Sequence, residues 1–124
     1  MLQLKTVMTV ADNTGAKKAY MIGMPGKGNK HLAYVGDVVN VVVKSAIPYA
    51  QVKEGDVLTA VVVRTRKEKR RKDGSYIRFD DNACVILLEK GVKDPKGTRI
   101  FGPIAKEVKD NGFNKIASLA EEMY

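Results

Sequence analysis

Apolar residues as far as Leu88 fall into short, valine-rich runs separated by turn formers, and only beyond Gly102 does their spacing become helical. β-Branched side chains fit a pleated surface, so the runs predict strands. Residues 7–10 form the first, ended by Asp12, Asn13, Thr14 and Gly15, which favour a turn through side-chain bonds to the backbone or through glycine's freedom. Residues 16–24 are the return strand. The stretch 25–30 holds two glycines and a proline and predicts a loop. GDVVNVVVK (36–44) is then echoed by GDVLTAVVVR (55–64), so each copy enters a strand from a Gly-Asp turn, and Ala46, Ile47 and Pro48 close the first copy. The run 83–88 is short and β-rich and reads as a buried strand.

About five strands with short turns and no long helix between them predict a mainly β fold, a small closed barrel that leaves no exposed sheet edge. Pro103 follows Gly102 and suits the first turn of a helix, with Ile104 and Val108 one turn apart on one face. Phe113, Ile116, Leu119 and Ala120 repeat at helical spacing as a second short piece. Neither helix is long enough to stand alone in water, so both must dock on the barrel. A chain of 124 residues suits one domain. The expected organisation is therefore a single domain over 1–124, with the barrel to about residue 100 and the helical part over 101–124.

Charge adds the first functional signal. The chain carries a formal +8, and most of the excess lies in Arg64, Thr65, Arg66, Lys67, Glu68, Lys69, Arg70, Arg71 and Lys72, where seven cations face one carboxylate. Clustered like charges repel unless a polyanion neutralises them, so the run is expected to hold out a binding surface. It follows a strand and precedes Asp73-Gly74, a dipeptide suited to a type I′ turn in which both residues take positive φ. Beyond the turn, alternation places Tyr76 and Arg78 on one face and Ile77 and Phe79 on the other. The charges should thus ride on a projecting β-hairpin.

Other chemistries fare poorly. There is one cysteine, Cys84, and one histidine, His31. An internal disulfide is impossible, and a Cys/His zinc site lacks its usual ligands. His31 sits in a Gly/Lys-rich loop while Cys84 begins an apolar strand, so no nucleophile-base pair is expected and Cys84 reads as a small core hydrophobe. Adjacent strand residues point to opposite faces, so Asp80 and Asp81 do not converge easily on one ion. Gly26-Lys27-Gly28 lacks the Gly-Lys-Ser/Thr of a phosphate loop, although Lys27 and Lys30 could still touch phosphate. No apolar run approaches the length of a membrane span and residues 1–10 offer no signal-peptide core, so a soluble protein of a reducing compartment is expected, with no membrane partner. Neither an enzyme nor a cofactor is implied.

A resemblance sharpens the picture. Ala60 to Val63, Asp73-Gly74, Phe79, Asn82 and Val85-Ile86 resemble the signature of the large-subunit ribosomal protein L-fourteen family, bacterial type. Three more blocks agree: residues 10–16 (VADNTGA), Ala46-Ile47-Pro48, and residues 97–103 (GTRIFGP). Together they span nearly the whole chain in the right order. The resemblance implies a five-stranded β-barrel with a small C-terminal helical part, bound to large-subunit rRNA in a cytoplasmic or organellar ribosome. It also implies contact with small-subunit rRNA in intersubunit bridges, and ribosomal proteins L-three and L-nineteen as neighbours. Thr98, Arg99 and Lys115 are similar to the docking site of a ribosome silencing factor. Lys30-His31-Leu32, Tyr49-Ala50 and Glu121 depart from the family pattern, where a more basic stretch, a small or basic pair and a proline are usual.

The expected mechanism is neutralisation of phosphates by Arg64, Arg66, Lys67, Lys69, Arg70, Arg71 and Lys72, supported by Lys17, Lys18, Lys44 and Arg78. Arginine forks two hydrogen bonds to a phosphate, so the arginines should orient the RNA more than the lysines do. Tyr76 offers a ring to an unpaired base, although simple packing on the barrel surface is the more economical reading. The alternatives are a free small-barrel translation or transcription factor and a nuclease using Asp80 or Asp81.

Overall fold

The computed structural model describes residues 2–3, 5–24, 32–89 and 92–124. The loop expected over 25–30, with Lys27, Lys30 and His31, lies outside the described residues. Five strands close a barrel in the order β1, β2, β3, β4, β7. They are β1 (Val7–Val10), β2 (Ala16–Gly23), β3 (Val38–Ala46), β4 (Val57–Arg64) and β7 (Ala83–Ile86). All neighbours are antiparallel except β1 and β7, whose parallel pairing of Thr9 with Ala83 and Val10 with Cys84 closes the seam. Two short strands, β5 (Lys69–Arg70) and β6 (Tyr76–Ile77), form a separate hairpin between β4 and β7.

The two Gly-Asp turns are built alike. Asp37 Oδ2 accepts from the Tyr34 amide at 2.9 Å, and Asp56 Oδ2 accepts from the Lys53 amide at the same distance. The repeated sequence therefore produces a repeated strand entry.

Why β4 and β7 are apolar at consecutive positions follows from what covers them. Ala60, Val62, Cys84 and Ile86 point into the barrel, with Met8, Met21, Val39 and Val41. Val61, Val63 and Val85 point the other way and meet Ile104, Val108, Phe113 and Ile116 of the C-terminal part. Both faces are thus buried, and each valine so covered contributes about 1.5–3 kcal/mol relative to an exposed one. The helices α1 (Lys106–Asp110) and α2 (Asn114–Leu119) exist to cover that outer face.

The first helix begins later than its sequence suggests. Pro103 and Ile104 precede it, because the backbone of Ile104 is engaged elsewhere: its N–H donates to Glu122 O and its carbonyl accepts from the Tyr124 amide. Phe113 lies just before α2 and is buried, as is Ile116, whereas Leu119 is partly exposed. Cys84 is fully buried, and burial, with the charge of Asp12 adding to it, pushes its thiol up to about 12.

Candidate nucleic-acid interface

The hairpin turn departs from the type I′ expectation. Gly74 has φ of +88° but Asp73 does not share a positive φ. Instead the Gly74 amide donates to Arg71 O, and the Arg71 amide donates to Ser75 O. This is a three-residue hairpin loop with glycine in the left-handed position. Asp73 stabilises it through its carboxylate, which accepts from the Ser75 amide at 3.0 Å and hydroxyl at 2.6 Å. Those hydrogen bonds hold the Asp73 carboxyl below its usual range.

The seven cations of the run do not act alike. Arg64 is only 8% exposed. Its Nη1 donates to Phe101 O at 3.1 Å and Pro103 O at 3.3 Å, and its Nε lies 3.1 Å from Asp81 Oδ1. It is an internal strut, engaged by two carbonyls and a carboxylate, and its burial sets it apart from the exposed cations of the run that are expected to meet RNA. Gly102 makes room for it. A Cβ there would stand 2.2 Å from Arg64 Nη1, and the residue has φ of +79°, where a side chain is strained.

Arg71 is likewise turned inward. It pairs with Glu107 of α1 at 3.0 Å and donates to the main-chain oxygen of Tyr124. That contact fastens the hairpin to the helical part. The remaining five are available to differing degrees. Arg66, Lys67, Arg70 and Lys72 are exposed and Lys69 is half-buried. Lys67 sits 3.5 Å from Glu68 in an exposed pair, and Lys69 lies over the Tyr34 ring at 5.2 Å. Glu68 is held below its ordinary range by a backbone hydrogen bond first and by Lys67 second. Tyr76 and Arg78 are exposed while Ile77 and Phe79 are partly covered, so the alternation holds beyond the short strand.

Lys17, Lys18 and Lys44 are also exposed. Consecutive lysines both reach the surface because the β2–β3 register shifts on either side of Lys18. Lys18 pairs with Ser45, next to Lys44. On the other side of β3, Val38 faces Val61 and Val42 faces Val57, so Arg64 lies beyond the opposite end of that ladder. Through the closed seam, however, Lys18 is only three ladder steps from Arg64, since it pairs with Thr9, Thr9 with Ala83 and Ala83 with Arg64.

Two of the blocks that carry the family resemblance meet through Asp12 and Asn13. Asp12 is only 4% exposed, and sequence reasoning read it merely as a turn former. Its Oδ1 accepts from the Thr14 amide and hydroxyl at 3.2 and 2.7 Å, and its Oδ2 accepts from the Ile86 amide of β7 at 3.0 Å. Burial pushes its carboxyl up from 3.8, with these bonds opposing. The neighbouring Asn13 accepts from the amides of Thr98 and Arg99 at 2.9 and 3.2 Å and donates to Thr98 Oγ1 at 2.9 Å. Thr98 and Arg99 are thereby fixed on the surface with exposed side chains. Lys115 of α2 joins that segment through Asp94, at 3.4 Å.

A catalytic reading finds no support in this geometry. Asp81 is engaged by Arg64, and among the described residues no group of three His, Cys, Asp or Glu side chains is arranged to hold a metal. The fold is a small closed β-barrel with a basic hairpin docked on its helical part. Comparison makes this specific. The whole chain, residues 1–124, matches the family described as Ribosomal protein L14p/L23e. It is 55% identical to large ribosomal subunit protein uL14 of Aquifex aeolicus (strain VF5) and 54% identical to the same protein of Aquifex pyrophilus, each over 99% of both chains. The chain belongs to the L14p/L23e ribosomal protein family, which is structural and non-enzymatic.

Proposed function

We propose that this chain, as a structural constituent of the large ribosomal subunit in the cytoplasm, joins RNA segments by neutralising them with two groups of surface cations. The hairpin cations Arg66, Lys67, Lys69, Arg70 and Lys72, with Arg78, form one group. Lys17, Lys18 and Lys44 form the other. The observation that carries the reading is the exposure of Arg66, Lys67, Arg70, Lys72 and Arg78 on and beside the hairpin, with Lys17, Lys18 and Lys44 exposed on the barrel. These cations would hold large-subunit rRNA and reach small-subunit rRNA across the interface. Recognition is then of phosphate position and RNA shape, since the deep major groove of A-form RNA hides its base edges.

The family's neighbours, ribosomal proteins L-three and L-nineteen, complete the proposed setting. A silencing factor would dock at Thr98, Arg99 and Lys115. Support for that surface is the Asn13 clamp, which presents Thr98 and Arg99 from a fixed backbone.

The test is subunit joining by large subunits carrying Arg66→Glu and Arg70→Glu together. Both side chains are exposed and make no ion pair among the described residues, so folding should be unaffected. Joining should be blocked, as seen by sedimentation of free and joined subunits. Normal joining would sink the bridge role.

A further inference from the structure

An open cleft of about 670 Å³ lies beside β6, lined by Arg64, Tyr76, Arg78, Phe79, Asp81 and Tyr124 among others. That volume falls in the range of small-ligand sites, about 300–1,000 Å³. We propose that the cleft receives one unstacked nucleotide of an RNA strand, its base against the Tyr76 ring, one flanking phosphate on Arg78 within the cleft and the other on Arg70, which lines a second cleft across the hairpin. The inference rests on the RNA-binding reading above and deepens it.

Tyr76 is 64% exposed, and among the described residues its ring and hydroxyl have no partner. A large aromatic left in water on a two-stranded hairpin gains nothing for the fold, whereas a base stacking on it would be favourable by a sequence-tolerant contact. The cations are placed to match. Arg70 is the cross-strand partner of Tyr76, so the two share a face of the hairpin. Arg78 is two residues further along the chain, on the same face by alternation and roughly 6.6 Å away along an extended backbone. The ring is therefore flanked by Arg70 across the hairpin and by Arg78 along its own strand, two cations for the phosphates on either side of a base.

The rest of the cleft supports this assignment. Phe79 packs against the barrel core and forms an apolar floor. Arg64 and Asp81 neutralise each other on the wall, which leaves Arg78 as the cleft's cation for a phosphate. Asp80 also lines the cleft and is exposed, an acceptor for the hydroxyl and amino donors that a nucleotide has and a bare phosphate lacks. Tyr124 adds a second ring, its hydroxyl donating to Glu122.

The experiment compares two short fluorescein-labelled RNA duplexes, one fully paired and one with a single unpaired adenosine, by anisotropy titration at fixed salt. The intact protein should bind the bulged duplex about tenfold more tightly. Tyr76→Ala should abolish that preference without changing the salt dependence, and Tyr76→Phe should keep it. AMP alone lacks a second flanking phosphate and should not displace the RNA at millimolar concentration. Displacement by AMP would make this a free-nucleotide pocket and overturn the assignment to an RNA strand. Equal, salt-dependent affinity of the intact protein for both duplexes would overturn the nucleotide site and leave the RNA-binding function standing. Failure to bind either duplex would overturn both.

Discussion

Replacing Arg64 by methionine separates a strut from a ligand. The substitution keeps a long apolar stem but removes two N–H donors, at 3.1 Å to Phe101 O and 3.3 Å to Pro103 O, and the ion pair with Asp81. A hydrogen bond from a charged donor contributes about 1.5–3 kcal/mol, and the longer of the two belongs at the low end. Asp81 is 44% exposed, so solvent screens its pairing to about 0–1 kcal/mol. Allowing for apolar contact regained by the methionine, the expected loss is about 2–4 kcal/mol. For a chain of this length that lowers the melting temperature by about 10 °C. Domains of this kind have about 5–15 kcal/mol in hand, so the variant remains folded at room temperature.

The same variant should leave RNA binding untouched in one specific respect. If the five outward-facing cations of the run meet phosphates, log affinity falls against log salt with a slope of roughly −3.5 to −4.5. Arg64→Met should preserve that slope, whereas Arg70→Ala should flatten it by about 0.7–0.9 with little change in melting temperature. Thermal unfolding and salt titrations on the three proteins measure both quantities. An Arg64→Met protein that melts normally and loses about one phosphate's worth of slope would refute the strut.

Two further outcomes follow from buried groups. Asp12→Asn turns an amide donor toward either Thr14 or the Ile86 N–H and should cost about 1–3 kcal/mol in urea unfolding. Because burial raises the folded Asp12 carboxyl above 3.8, the folded state binds its proton more tightly than the unfolded chain does. That contribution is fully present below pH 3.8 and is lost as pH rises through the raised value, so the deficit of Asp12→Asn should be larger in acid than at neutral pH. A deficit that grows toward neutral pH would contradict this. Cys84, with its thiol pushed up to about 12, should resist a disulfide reagent at pH 8 in the folded protein and react in urea. Fast labelling without denaturant would contradict its burial.

Much of the barrel is legible because valine runs and Gly-Asp turns are local signals. Residues 7–10, 36–44, 55–64 and 83–88 all carry strands close to the expected limits. The limits of legibility lie where distant segments decide. Pro103 and Ile104 fit a helix by local rules, yet the chain at 122–124 takes the backbone of Ile104 as a partner. Arg64 stands first in a cationic run, and no charge count distinguishes it from Arg66. The distinction comes from the irregularity between Val62 and Arg64 opposite β7, which adds a residue to β4 and redirects the side chain. Asp12 reads as a turn residue because its third partner, Ile86, is far along the chain. Lys17, Lys18 and Lys44 are visible as cations, but that the consecutive Lys17 and Lys18 both face solvent is a property of strand register.

The seam between β1 and β7 sets the order in which such a chain can mature. Its two halves are Thr9-Val10 and Ala83-Cys84, near opposite ends of the cylinder's sequence. While the polypeptide is being synthesised from its N-terminus, β1 to β4 can form an open sheet with both outermost strands unpaired, a template for unwanted association. Only when Ile86 has emerged does Asp12 find its amide and the cylinder shut. The early product is thus an unclosed precursor whose safest course is to wait, shielded, for its own distal strand.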